Sequence, residues 1–234
     1  MSDAPVTTSR RPLKTRDRAW ARALAKAAAS SGLSPNGISV LSIVFAAGAH
    51  GLFLIAPDMT APLPIALAWL GAAACIQLRL LCNMLDGMVA VECGRQSPLG
   101  GLFNEVPDRI ADVLILVGAG YATNVPPGVV KLFGVLPLGW CCAVVAVWTA
   151  YIRSIGAELT GRHFFVGPMA KPHRMAAMTV GCFTALSAAL IKGGNPHFVL
   201  EVVLAVILVG SLITCWHRLR LISDALKNKP PASV

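Results

Sequence analysis

Charged residues are scarce in this sequence. Only 13% of its 234 residues are charged, whereas 56% are hydrophobic, and the mean hydropathy is +0.68. Ordinary soluble domains carry about 25% charged residues. The composition therefore argues against a soluble domain and predicts a polytopic membrane protein.

The sequence also lacks a C-x-x-C pair. Most of its seven cysteines fall within apolar runs, where a free, buried thiol is the usual state. Neither a disulfide framework nor a zinc site is expected from this spacing. The seven are Cys75, Cys82, Cys93, Cys141, Cys142, Cys182 and Cys215.

What the sequence has in abundance is long hydrophobic runs. A run of about 20 apolar residues is long enough to cross a bilayer as a helix. The expected fold is an all-α integral membrane bundle of six transmembrane helices, in which Ser34 caps the first helix. We expect a cytoplasmic segment 1–33, a membrane domain 34–222 and a tail 223–234. The expected spans are residues 36–55, 65–91, 102–121, 132–152, 175–191 and 198–216.

The N-terminal segment is basic and helix-prone between residues 10 and 29. Trp20 and Leu24 recur at helical spacing, opposite Arg18, Arg22 and Lys26, as in an amphipathic helix that lies in the membrane interface. A solvated, charged helix is the alternative. A secretory signal peptide does not fit, because the apolar residues are mostly alanine and are interrupted by arginine and lysine.

The net charge of +9 is unevenly distributed. Seven Lys and Arg residues precede the first span, four lie in the connection 153–174 and four follow the last span, whereas the opposite turns carry only Lys131 and Lys192. The positive-inside rule then places both termini in the cytoplasm. Basic residues next to spans favour anionic lipid headgroups over nucleic acid as partners.

Polar residues cluster at one edge of the second and third spans. They recur three or four residues apart, so those of each helix share a face. An ionisable residue in a span is costly and indicates a functional site, and carboxylate and amide oxygens suit Mg²⁺ or Mn²⁺. A solvated face or an ion pair with Arg109 is the alternative. The cluster comprises Asn83, Asp86, Asn104, Glu105, Asp108 and Asp112.

This stretch resembles the signature of the CDP-alcohol phosphatidyltransferase family, D-x-x-D-G-x-x-A-R followed by G-x-x-x-D-x-x-x-D. The matching positions are Asp86, Gly87, Ala90, Gly100 and Asp108. Three positions depart from the signature: Asn83 and Asn104 replace aspartates, and Val91 replaces the arginine.

The resemblance implies that Asp86 is a metal ligand and that Asp108 is a ligand or the general base. In the family, four aspartates hold two divalent metals and the diphosphate of the donor. Asn83 and Asn104 would ligate through their amide oxygens, and Glu105 would restore one charge. Because each asparagine lacks a charge, occupancy by two metals is open.

A second set of residues is expected on the same side of the membrane. The connection before the fifth span resembles the family's basic loop that meets phosphate, and residues 34–36 resemble its T-P-N element. The ordinary excess of positive charge in cytoplasmic loops is the alternative. The expected substrate-binding residues are Asn36, Gly87, Ala90, Gly100, Arg162, Lys171 and Arg174.

The resemblance implies a transferase that moves a phosphatidyl group from a CDP-linked lipid to an alcohol acceptor, with Mg²⁺ or Mn²⁺ and with release of CMP. It also implies a homodimer in a bacterial inner membrane with a cytoplasmic active site. A catalytically silent relative that binds the lipid or acts as a scaffold is the main alternative. A small transporter has less support, because the polar residues gather at one membrane edge and not at the midplane.

Overall fold

Seven helices account for most of the chain in this computed structural model. The structure describes residues 18–56, 59–95, 97–123, 131–132 and 136–228. Residues 1–17 of the expected N-terminal segment and residues 229–234 of the expected tail lie outside the described residues. The helices are α1 (Ala19–Ser30), α2 (Pro35–Ile55), α3 (Pro62–Glu92), α4 (Gly100–Ala122), α5 (Leu138–Thr160), α6 (Lys171–Leu190) and α7 (Pro196–Lys227).

Proline or a side-chain cap marks several helix starts. Helices α2, α3, α6 and α7 each carry a proline in the first two positions, where its fixed φ suits the helix and its missing N–H costs nothing. Ser34 Oγ accepts a hydrogen bond from Gly37 N at 3.0 Å, which confirms the expected cap. Asn195 Oδ1 accepts one from Phe198 N at 3.1 Å in the same way.

Among the residues that the structure describes, four helices are long and apolar enough to cross a membrane, namely α2, α3, α5 and α7. The all-helical membrane fold is therefore confirmed for the described residues, apart from a short antiparallel pair between β1 (Lys131–Leu132) and β2 (Leu136–Pro137). Helices α4 and α6 occupy the expected third and fifth spans, but polar residues in their first turns lower their apolar content. The count of six spans stays a prediction.

The expected bounds of the fourth span are wrong. Residue 132 belongs to the β pair, and α5 runs from Leu138 to Thr160. Pro137 lacks the N–H that a helix interior needs, so the helix begins after it. The helix ends where Gly161 adopts a φ of +70°, a conformation that glycine tolerates.

Small residues bring the helices of the core close together. A Cβ built on Gly120 of α4 would lie 2.6 Å from Gly139 Cα of α5, and one on Gly118 would lie 2.8 Å from His50 Cα of α2. Side chains larger than hydrogen cannot fit at these crossings. His50 itself hydrogen-bonds the Leu114 carbonyl through Nδ1 at 2.9 Å, which ties α2 to α4.

Helix α1 packs against the bundle through alanines. Ala21, Ala25 and Ala29 are buried in a cluster with residues of α2 and α3. Trp20 and Leu24 are 48% and 37% exposed. The apolar residues of α1 thus divide between a face that contacts the protein and a face that contacts the surroundings.

Candidate active site

The polar faces of α3 and α4 meet, as the spacing of their residues predicts. The Asn83 amide of α3 donates a hydrogen bond to Asp108 Oδ1 of α4. Asp86 follows Asn83 by three residues on α3, so the two side chains share a face of the helix. The two carboxylates therefore belong to one site at the junction of these helices.

Helix α2 supplies a third wall. Ser39 Oγ donates a hydrogen bond of 2.6 Å to Asp86 Oδ2, and Gly87 N donates one of 2.5 Å to Asp86 Oδ1. Asp86 is 4% exposed. Its direct partners are thus neutral donors, although the carboxylate is almost fully buried.

Asp108 has a different environment, because three cations surround it. Lys171 Nζ, at the start of α6, contacts Asp108 Oδ2. Arg109 Nη2 lies 3.5 Å from the same oxygen, and Arg79 Nη2 lies 3.6 Å from Asp108 Oδ1. Asp108 is therefore in contact with, or close to, three positive charges.

A buried ion triad lies beneath this carboxylate. Asp112 Oδ1 accepts from Arg79 Nη2 at 2.5 Å, and Asp112 Oδ2 accepts from Arg174 Nη2 at 2.8 Å. All three side chains are at most 1% exposed. Arg79 also donates to the Asp108 carbonyl at 3.1 Å, so the triad fixes the backbone of the residue that the motif places at the reaction centre.

The sequence pattern predicts no role for Arg79 and predicts Arg174 to be a substrate-binding residue. The signal was present, because an arginine in the middle of an apolar run must find a partner when the helix is inserted. Arg79 lies 33 residues before Asp112 and on a different helix. Only the packing of α3 against α4 brings the two together.

The connection between α5 and α6 positions Lys171. Gly167 has a φ of +117°, and a Cβ there would lie 2.3 Å from Thr214 Cγ2 of α7. Met169 N donates to Thr214 Oγ1 at 2.9 Å, and Arg174 Nη1 donates to the Met169 carbonyl at 3.1 Å. Met169, two residues after the glycine turn, therefore fastens the loop to α7 and to α6.

Other residues expected at the site lie at its margin. Glu105 Oε1 accepts from Arg153 Nη2 at 2.5 Å, and its side chain is 43% exposed. Asn104 and Arg162 are exposed. The half-buried members of the expected substrate set are Asn36, Gly87, Ala90 and Gly100.

The oxygen ligands suit one hard divalent cation. Asp86 and Asp108 supply carboxylates, and Mg²⁺ is usually held by one or two carboxylates together with substrate phosphates. Within the part of the chain that the structure describes, three or more Asp, Glu, His or Cys side chains never gather as a metal site would need. A four-carboxylate centre therefore does not fit, whereas the carboxylates of Asp86 and Asp108 match in number what one such ion takes from a protein.

Comparison with known proteins adds independent evidence. Family models give no match to the chain. The chain is 27% identical over 217 residues to the phosphatidylinositol phosphate synthase of Mycolicibacterium smegmatis, a match that covers 91% of this chain and 89% of that relative.

Solved structures of the phosphatidylinositol phosphate synthase of Mycobacterium tuberculosis share the fold. The structure in complex with manganese and citrate gives a TM-score of 0.67 at 22% identity, and 92% of each chain is covered. The structure with CDP-DAG bound gives 0.66 at 21% identity, covering 92% of this chain and 96% of the other. The likeness thus extends over nearly the whole bundle and is not confined to the site.

Proposed function

We infer that this chain is a member of the CDP-alcohol phosphatidyltransferase family and that it moves a phosphatidyl group from a CDP-linked lipid to an alcohol, with release of CMP. The activity depends on a divalent metal, Mg²⁺ or Mn²⁺. The observation that carries this inference is the junction of Asp86 and Asp108 with Lys171 beside it. This junction brings together two carboxylates that can bind a metal ion and a cation that can bind phosphate.

Each residue of the junction has a proposed part in the transfer. Asp108 takes the proton from the acceptor hydroxyl while the acceptor oxygen attacks the phosphorus that carries the lipid. The bond between this phosphorus and CMP breaks. Asp86, together with Asp108, would hold a divalent ion, which would supply positive charge to neutralise the diphosphate. Lys171 and Arg109, which flank Asp108, bind phosphate oxygens of the substrates.

The acceptor is proposed to carry a phosphate of its own. The named relatives are synthases of phosphatidylinositol phosphate. In this chain, cationic groups gather on the side of Asp108 that α5 and α6 cover, where Arg109, Arg153 and Lys171 are all partly exposed. Inositol phosphate is accordingly the first acceptor to test, followed by glycerol phosphate, serine and amino alcohols.

The test is CMP release by the purified protein with CDP-diacylglycerol, Mn²⁺ or Mg²⁺ and this panel of acceptors. Asp108→Asn should lower the rate by about a hundredfold or more, the usual effect of losing a general base. Asp224→Asn, at an exposed position near the end of α7, should leave it unchanged. Equal rates in wild type and Asp108→Asn, or no CMP from folded wild type with any acceptor, would refute the assignment.

The replacement of two aspartates by Asn83 and Asn104 favours one alternative, a silent relative that binds the CDP-lipid without turnover. It predicts saturable binding of CDP-diacylglycerol, no CMP release, and a gain of activity in Asn83→Asp/Asn104→Asp. CMP release by the wild type excludes it.

The finer membrane topology belongs to the same proposal. Helices α2 to α7 are proposed to be six spans, and α1 is proposed to lie at the interface with Trp20 and Leu24 toward lipid, supported by their exposure. Both termini and the site would face the cytoplasm of a bacterial inner membrane, supported by the distribution of basic residues. A homodimer and the domain bounds 34–222 stay predictions.

A further inference from the structure

We propose that this chain binds a single divalent cation, held chiefly by Asp86, and that the ammonium of Lys171 supplies at Asp108 the positive charge that a second metal ion would bring. The proposal rests on the proposed function and adds to it the number of ions and the residue that replaces one of them. Three observations support it in turn.

The charge at the motif positions is half of what two ions require. Positions 83, 86, 104 and 108 carry two carboxylates and two neutral amides, so their total charge is −2. One divalent cation balances this charge, whereas a second would leave an excess of +2. Glu105 does not restore the balance, because it pairs with Arg153 at 2.5 Å and is partly exposed to solvent.

Asp108 is already compensated by the protein. Lys171 and Arg109 share its Oδ2, while the Asn83 amide and Arg79 approach its Oδ1. A metal ion bound directly to Asp108 through both oxygens would have to displace these groups. It would also stand next to three fixed positive charges, which repel it.

Asp86 has the opposite character. It is 4% exposed, and the groups that donate directly to it are the neutral Ser39 hydroxyl and Gly87 N–H. A buried carboxylate without a paired cation is costly. Asp86 is therefore the position at which an added cation lowers the free energy most.

The experiment counts Mn²⁺ bound to the full-length protein in detergent, without nucleotide, by equilibrium dialysis and by the loss of the free-ion EPR signal. The wild type should bind one Mn²⁺ per chain. Asp86→Asn should weaken this binding at least tenfold. Two ions per chain, or none, or unchanged binding in Asp86→Asn, would overturn the proposal.

A second variant tests the part assigned to Lys171. Asn83→Asp/Asn104→Asp/Lys171→Met restores the four carboxylates and removes the ammonium, so it should bind two Mn²⁺ ions. Asn228→Asp, an exposed position at the end of α7, adds a carboxylate elsewhere and should still bind one. Circular dichroism of each preparation verifies its helical content, and a folded triple variant that binds only one ion contradicts the role of Lys171.

CMP release from the same preparations separates this proposal from the proposed function. Two bound ions with CMP release overturn the single-ion proposal and leave the transferase assignment standing. One bound ion without CMP release from any acceptor supports the single-ion proposal and overturns the transferase assignment.

Discussion

Asp112 lies between two arginines that would otherwise repel each other in the interior of the helix bundle. Arg79 and Arg174 each place one guanidinium nitrogen within 2.8 Å of a different Asp112 oxygen. Buried ion groups of this kind add little net stability when they are complete. This triad instead positions Asp108, because Arg79 also donates a hydrogen bond to the Asp108 carbonyl.

Removing the central charge of this triad should therefore be severe. Asp112→Asn puts a neutral amide between two buried guanidinium groups in place of the carboxylate that pairs with both, and breaking a buried ion pair costs about 3–5 kcal/mol. The free energy of unfolding in mixed micelles, followed by circular dichroism, measures the loss. Glu105→Gln is the matched control, since its pair with Arg153 is partly exposed and should contribute less than about 1 kcal/mol. Equal losses in both variants would show that the triad is not structurally important.

At the scale of elements, the crossing of α4 and α5 depends on two glycines. A Cβ on Gly139 would lie 2.5 Å from the Leu116 carbonyl oxygen and 2.7 Å from Gly120 Cα. These are backbone atoms of a packed helix, so they cannot rotate away as a side chain would. The crossing sets the position of α5, which carries Arg153 to Glu105.

Gly139→Ala should separate the two helices and lower the free energy of unfolding by about 1–3 kcal/mol, as overpacking of a core commonly does. Gly51→Ala is the control, because a Cβ at this α2 position has nothing within 4 Å. That variant should be neutral or should gain about 0.5–1 kcal/mol from the helix preference of alanine. Thermal unfolding of the two variants in the same detergent distinguishes these effects, and a neutral Gly139→Ala would contradict the close crossing.

The loop before α6 links the elements to the site. Gly167 turns the chain against Thr214, and the following residues deliver Lys171 to Asp108. A glycine is needed here for two reasons. Its φ of +117° is a conformation that glycine tolerates, and a Cβ at this position would lie only 2.3 Å from Thr214. The position of the cation at Asp108 thus depends on the fit between this loop and α7.

At the scale of the whole molecule, the site lies at one end of the bundle. The starts of α4 and α6 and the later turns of α3 meet there. Basic residues of the N-terminal segment, the connection 153–174 and the C-terminal tail are expected on the same side. A lipid donor can thus keep its acyl chains in the bilayer while its nucleotide lies in water.

This arrangement predicts the orientation of the chain. Green fluorescent protein fused after residue 234 should be fluorescent, and alkaline phosphatase at the same position should be inactive, because both report a cytoplasmic terminus. Alkaline phosphatase inserted in the turn 192–195 between α6 and α7 should be active. An active phosphatase at the terminus and an inactive one in the turn would show the opposite orientation. The same result at both positions would show that an even number of spans, and not one span, separates them.

Hydropathy and residue spacing suffice to predict the class of protein and the pairing of the two polar faces. Hydrophobic runs predict where helices form in a membrane, because backbone N–H and C=O groups without hydrogen-bond partners are too costly there. The three- and four-residue spacing places Asn83 and Asp86 on one face of α3, because the period of a helix is a local property. A short connection then makes α3 and α4 neighbours, so that Asn83 reaches Asp108.

The pairing of each cation with its carboxylate depends instead on how the helices pack. Lys171 lies 63 residues from Asp108, and Arg174 lies 62 residues from Asp112. Such contacts depend on the rotation of each helix about its axis and on the path of the loops, which the packing of many side chains sets together. The same cooperative packing brings Glu105 to Arg153. The spacing of residues along one helix does not predict this contact.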